Sequence, residues 1–119
     1  MIEKTILSRL LHDDDFLRKT VPFLKAEYFT DRHLQSLYNV INDYVEKYNN
    51  SPTIPALKIE VENLTGVSDD DIKEIYNTIN EFKEDDSNQQ WLLDETEKFC
   101  QNKAIYNAIM KSISIMDGR

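Results

Sequence analysis

A chain of 119 residues has room for one domain and not comfortably for two. Its 14 Lys and Arg against 22 Asp and Glu leave a net charge of −8, which excludes the basic clusters that grip phosphate backbones. With 40% apolar and 30% charged residues it can bury a modest core, and having only two Gly and three Pro favours helices over turns.

Taken in order, Ile2, Ile6, Leu7, Leu10 and Leu11 place an apolar face on a first helix. Asp13 reads as the N-cap of a short second helix through Phe16 and Leu17, which ends near Val21-Pro22 because proline disfavours helical geometry in the residue before it. Phe23, Leu24, Tyr28 and Phe29 then form an aromatic connection that must tuck into the core. Thr30 is the next N-cap candidate. Leu34, Leu37, Tyr38, Ile41, Tyr44, Val45 and Tyr48 follow at clean helical spacing. Asn49-Asn50-Ser51-Pro52 breaks that pattern. Thr53 can cap a helix with Pro55 in its first turn and Leu57, Val61 and Leu64 on one face, ended by Thr65-Gly66. Ile59-Glu60-Val61-Glu62 alternates as a strand would, so this segment reads both ways. Ser68 with Asp71 resembles a capping box ahead of a helix carrying Ile72, Ile75, Tyr76, Ile79 and Phe82. The acidic runs at residues 13–15, 69–71 and 84–86 read as solvated helix starts or loop.

The last stretch, from Asn88 to Met116, has no Pro or Gly and reads as one long helix. A seam runs along it through Leu92, Thr96, Phe99, Lys103, Tyr106, Met110 and Ile113, with Thr96 and Lys103 as interruptions. Beyond Ile105 the helix is apolar nearly all round, since Ala108, Ile109, Ile115 and Met116 flank the seam. One stripe suffices to bury a helix against its own domain, so the surplus implies a second partner. The candidate interface is Trp91, Phe99, Ile105, Tyr106, Ile109, Met110, Ile113 and Met116. Trp91 lies off the Leu92 seam and reads as a residue packed on the globular part somewhat more than as a contact residue. The helix stops at Asp117-Gly118-Arg119, at a glycine of the kind that ends helices. The expected fold is all-α: a small globular bundle of five or six short helices over residues 1–87, then one long C-terminal helix over 88–119.

Chemistry is harder to find. His12 and His33 have no converging ligands, so no metal site is expected. His12 suits the C-terminus of the first helix as a donor to its free carbonyls, and His33 lies in a helix's first turn. Cys100 has Lys98 and Lys103 nearby, which would lower its pKa, but beside Phe99 it reads as a small core residue. A single cysteine allows no internal disulfide. With Gly66 and Gly118 alone there is no Gly-rich phosphate loop, and no nucleophile, base or metal motif is present, so neither catalysis nor a bound cofactor is expected. The tyrosines fall at helical spacing and read as core-facing rings rather than base-stacking platforms. No signal peptide or membrane span is expected, because Glu3, Lys4 and Arg9 interrupt the first apolar run and no run approaches about 20 residues. The expected location is the cytoplasm.

Three features together resemble the N-terminal domain of DnaB-type hexameric replicative helicases. The opening Glu3-x-x-Ile6-Leu7-x-x-Leu10-Leu11 is similar to that family's first helix, with Ser8 where the family usually has Gly. Leu24-x-x-Glu27-Tyr28-Phe29-Thr30-Asp31-x-His33, running into Leu37-Tyr38-x-x-Ile41, resembles its signature ahead of the long helix. Ser51-Pro52-Thr53-Ile54-Pro55-x-Leu57 takes the place of its next loop. Val21-Pro22-Phe23-Leu24-Lys25 and Glu97-Lys98-Phe99-Cys100 look most like the helicases of T-even-like bacteriophages.

The resemblance implies a helical head followed by a helical hairpin, of which residues 88–116 are the first arm. It implies pairing of subunits into dimers, three dimers forming a collar above the motor ring, and primase docking on that collar. A helicase loader is a further implied partner. ATP, Mg and the DNA-translocating loops belong to a C-terminal motor domain that these residues do not contain. No direct nucleic-acid contact, membrane contact or catalytic residue is carried over, and for a phage protein the compartment is the host cytoplasm. The alternative reading is a free-standing small acidic adaptor, such as a helicase loader or an inhibitor of a host protein, whose charge suits competition for basic surfaces.

Overall fold

The computed structural model describes residues 2–118. Met1 and Arg119, the first residue of the expected head and the last of the expected arm, lie outside the described residues. Among those residues the chain is helices and connections: α1 (Ile2–His12), α2 (Asp14–Thr20), a 3-10 turn (Ala26–Tyr28), α3 (Arg32–Tyr48), α4 (Ile54–Glu62), α5 (Asp69–Glu81) and α6 (Gln89–Met116). This is the all-α bundle with a long final helix that the periodicity predicts.

The caps explain the boundaries. Asp13 accepts from the Phe16 N–H, Thr53 from Ala56, Ser68 from Asp71 and Asn88 from Trp91. The Thr53 cap decides the ambiguity at residues 59–62 for helix. That helix ends at Glu62, short of Gly66, with Asn63 at its C-cap. Thr30 is not the cap of α3. Asp31 is, accepting from the His33 N–H. The Thr30 N–H is taken by Glu3 Oε1 at 2.6 Å instead. At the far end of α3, Asn49 adopts φ +60°, the left-handed conformation that closes many helices, and its N–H bonds to Val45.

α3 is the central element and packs against α1, the 3-10 turn, α4 and α5, while α6 packs against the turn, α2 and α1. Ile6, Leu7, Leu10, Phe16, Phe29, Leu37 and Ile41 are the fully buried middle. The aromatic connection behaves as expected: Phe29 stacks on Tyr38 at 5.4 Å between centroids and meets Phe99 of α6 at 5.8 Å. The Tyr38 hydroxyl donates to the Leu24 carbonyl, and burial pushes its pKa up to about 12. Tyr48 departs from the core-facing expectation. It is the last residue of α3 and lies half-exposed.

The polar contacts tie together what the core does not. His33 Nε2 lies 3.0 Å from Asp71 Oδ1, joining the start of α3 to the start of α5. That bond, with the Ser68 hydroxyl and N–H, holds the Asp71 carboxyl below the usual range against a small desolvation cost. His12 works oppositely to expectation. Its Nε2 accepts from the Asp85 N–H at 3.4 Å instead of donating to helix carbonyls. Residues 82–88 form a strap over α1 that carries α5 into α6, and Arg9 holds it. The Arg9 side chain is 9% exposed. Its Nε donates to Asp13 at 2.8 Å, and Nη1 donates to the Asp85 carbonyl at 2.7 Å, the Ser87 carbonyl at 2.9 Å and the Asp85 carboxylate at 3.2 Å. Beside it the Ser8 hydroxyl donates to the Lys83 carbonyl at 2.7 Å.

Replacing Arg9 by Met keeps the side chain's bulk but leaves those carbonyls without a donor, and should cost about 2 kcal/mol in a urea titration. Asp13 generates a pH dependence. Burial raises its pKa, but the Phe16 N–H, Arg9 and Gln89 outweigh that and leave it depressed. Its stabilisation is therefore complete above the unfolded-state value near 4 and is lost as pH falls through the lower folded value. Asp13→Asn should flatten the acid limb of stability against pH below about pH 4, read as urea midpoints across the range.

Candidate interaction surface

α6 has 28 residues, about 42 Å at the helical rise, against a longest molecular dimension of 45 Å. Its first half is part of the head. Leu92 and Thr96 are fully buried and Phe99 and Cys100 nearly so. Thr96 does not interrupt the seam. Its hydroxyl donates to the Leu92 carbonyl at 2.7 Å, so the buried oxygen is satisfied within the helix. Phe99, expected among the interface residues, is instead a core residue packed on Phe29, because the aromatic connection leaves a space that only α6 can fill. Cys100 is buried too, and burial raises its thiol pKa to about 11, so the nearby lysines do not activate it.

The second half leaves the head. Lys103 Nζ donates to the Thr30 hydroxyl at 2.8 Å and Asn107 Nδ2 to the Glu27 carbonyl at 3.2 Å. Every described residue after Asn107 is exposed. Ile105, Tyr106, Ile109, Met110, Ile113 and Ile115 are 46–67% exposed and Met116 is 85% exposed. At 100° per residue, the positions from Ile105 to Met116 that carry large apolar side chains, Ile115 aside, span about 140° of the circumference. The centre of that arc is turned by about 100° from the face that Leu92, Thr96, Phe99 and Cys100 present to the head. The apolar surplus is thus a lateral face, not a continuation of the packing seam. Trp91, 50% exposed, falls within the same arc about four turns before Ile105, which makes it a surface residue at the base of that face.

A contiguous apolar face of this size, on a helix end with no neighbours, is the kind of surface that marks association. Among the described residues no group of His, Cys, Asp or Glu is placed to hold a metal ion, and no helix is long and apolar enough to cross a membrane. An open recess of about 510 Å³ lies between the 3-10 turn and α6, with Phe23, Tyr28 and Cys100 on its walls and Glu97 at its edge, and it presents no acid–base pair. Sequence reasoning missed the Arg9 clamp that fixes where α6 starts. The available signal was an arginine inside the apolar run of α1, four residues before the acidic cap Asp13.

The two halves of α6 should respond differently to truncation. Phe99→Ala should lower stability by about 3 kcal/mol in chemical denaturation, as loss of a core ring does, whereas Trp91→Ala should cost under about 1 kcal/mol.

Comparison with known proteins agrees with this architecture. The family model described as the DnaB-like helicase N terminal domain matches residues 1–81, which hold α1 to α5. A DnaB-like replicative helicase of Enterobacteria phage T4 is 30% identical over 110 residues. The aligned part covers 92% of this chain and 23% of the phage protein, so the chain spans about a quarter of that relative's length. The chain therefore belongs to the DnaB-like helicase N-terminal domain family.

Proposed function

We propose that this chain is the assembly and docking domain of a phage replicative DNA helicase. In this reading the distal half of α6 pairs subunits within a hexameric collar, as a dimer that triples around the ring. The assembled heads then offer a platform to primase during DNA replication, with a helicase loader as a further candidate partner, in the cytoplasm of the infected host. ATP and Mg would serve a motor domain elsewhere in the parent protein, and the head itself would carry no catalytic step.

The observation that carries this reading is the lateral face of α6. Its side chains from Ile105 to Met116 are half to fully exposed although the chain has a core of its own. Covering each half-exposed side chain is worth about 1 kcal/mol, so a symmetric contact that uses the face twice recovers enough to offset the cost of association. Membership of the DnaB-like helicase N-terminal domain family supplies the helicase context, and the resemblance noted in the sequence supplies the collar and primase.

Light scattering on the purified chain should show self-association that rises with concentration. Ile109→Glu combined with Ile113→Glu should abolish it while leaving helical content and core stability intact. A wild-type chain that stays monomeric at high micromolar concentration would remove α6 from the assembly interface and leave the fold unaffected.

A further inference from the structure

A second recess lies on the wall of the head away from α6. It is formed where the last two turns of α3 meet the end of α4, and α4 packs on α3 and α5, whereas α6 packs on α1, α2 and the 3-10 turn. Its volume is about 290 Å³. Val40 and Leu64 form an apolar floor, and Tyr44 and Tyr48 form one wall with their rings 4.8 Å apart between centroids. Tyr48 is 51% exposed, and Ile59 on the outer face of α4 is 58% exposed. Phe23 and Ile54 are the head's other exposed large apolar side chains, at 38% and 39%, so Tyr48 and Ile59 are the two that its core leaves most uncovered.

The rim carries two carboxylates and one ammonium. Asp43 and Glu60 stand on opposite sides of the recess, both exposed, and neither takes part in an ion pair among the described residues. The cations close by are engaged. Arg18 is held by Asp14 and the Asn49 carbonyl, and Lys58 lies over the Tyr76 ring. Lys47 is the exception on the rim itself, and its ammonium rests 5.4 Å above the Tyr48 ring. That placement shows the ring face accepting a cation, in a chain whose net charge is −8.

We propose that this α3/α4 recess docks an amphipathic helix with a basic edge, contributed by a different protein. The recess has room for side chains and not for a helix, so the helix lies across it. It sends one or two apolar anchors onto Val40 and Leu64 and sets Lys or Arg against Asp43, Glu60 and the Tyr48 face, displacing Lys47. This inference does not depend on the α6 reading, and the surface stays free when α6 is covered.

The test is a heteronuclear NMR titration of the whole chain with a synthetic helical peptide of alternating Lys and Leu pairs. The same sequence with Glu for Lys serves as control, and both are run on the wild type and on the Ile109→Glu/Ile113→Glu variant. The basic peptide should shift Val40, Tyr44, Tyr48 and Leu64 in both proteins. Asp43→Lys with Glu60→Lys should weaken binding about tenfold or more with the spectrum otherwise native. Equal binding of the acidic peptide, or shifts confined to α6, would overturn the proposal. It would also be overturned if these resonances moved with protein concentration alone and stopped moving in the α6 variant, for then the occupant is a second copy of this chain.

Discussion

One guanidinium decides how this small domain is closed. α1 and α2 are consecutive in the chain, α5 ends beside α1, and α6 must start within reach of both, yet the strap between α5 and α6 is polar and has no apolar anchor of its own after Phe82. Arg9 supplies what the strap lacks. Its donors form a planar fork and stay charged at any ordinary pH, so they meet carbonyls and carboxylates in fixed directions. The same Asp13 that Arg9 grips caps α2 and receives Gln89 from α6, which fuses the end of α1 and the starts of α2 and α6 into a single network. Among the described residues no buried side-chain polar atom lacks a partner, so the burial of this charge leaves no unpaired group behind.

With that entry fixed, α6 serves two roles that its sequence keeps separate. Its proximal residues complete the core, and its distal residues contribute nothing to it. The turn between the two faces follows from where the apolar positions fall on a helix of 3.6 residues per turn. A helix that continued its own seam would give a partner only the edge of the head to work with. The lateral offset instead presents a strip that another helix can approach without meeting the head.

Much of the fold was legible because its signals are local. Caps at Asp13, Thr53 and Ser68 lie within three residues of what they bond, and the apolar spacing of α3 and α5 is a local pattern. Thr30 was misread because Asp31, one residue later, takes the capping position, while the Thr30 hydroxyl accepts from Lys103 of another helix. Thr96 was misread because a hydroxyl bonded back to its own helix behaves as an apolar group in packing. Phe99 could not be told from Ile109 by spacing alone, since what separates them is whether Phe29 is waiting opposite. The exposed face was visible as surplus hydrophobicity, and its direction relative to the head needed the packed structure. The pairing of Arg9 with Asp13 left a local signal, but its grip on the strap did not, because those contacts span more than seventy residues of sequence.

The strap is read mostly through its backbone. Ser8 and Arg9 take the carbonyls of Lys83, Asp85 and Ser87, and a carbonyl is the same whichever side chain it carries. The Lys83 and Glu84 side chains can therefore be exchanged with the tether intact, because most substitutions there leave those carbonyls in place, whereas removing the Arg9 guanidinium removes the donors themselves. A surface segment held in this way can change its charge or its partners without loosening the helix that follows it. It is a place where side chains can be exchanged while α6 keeps its direction.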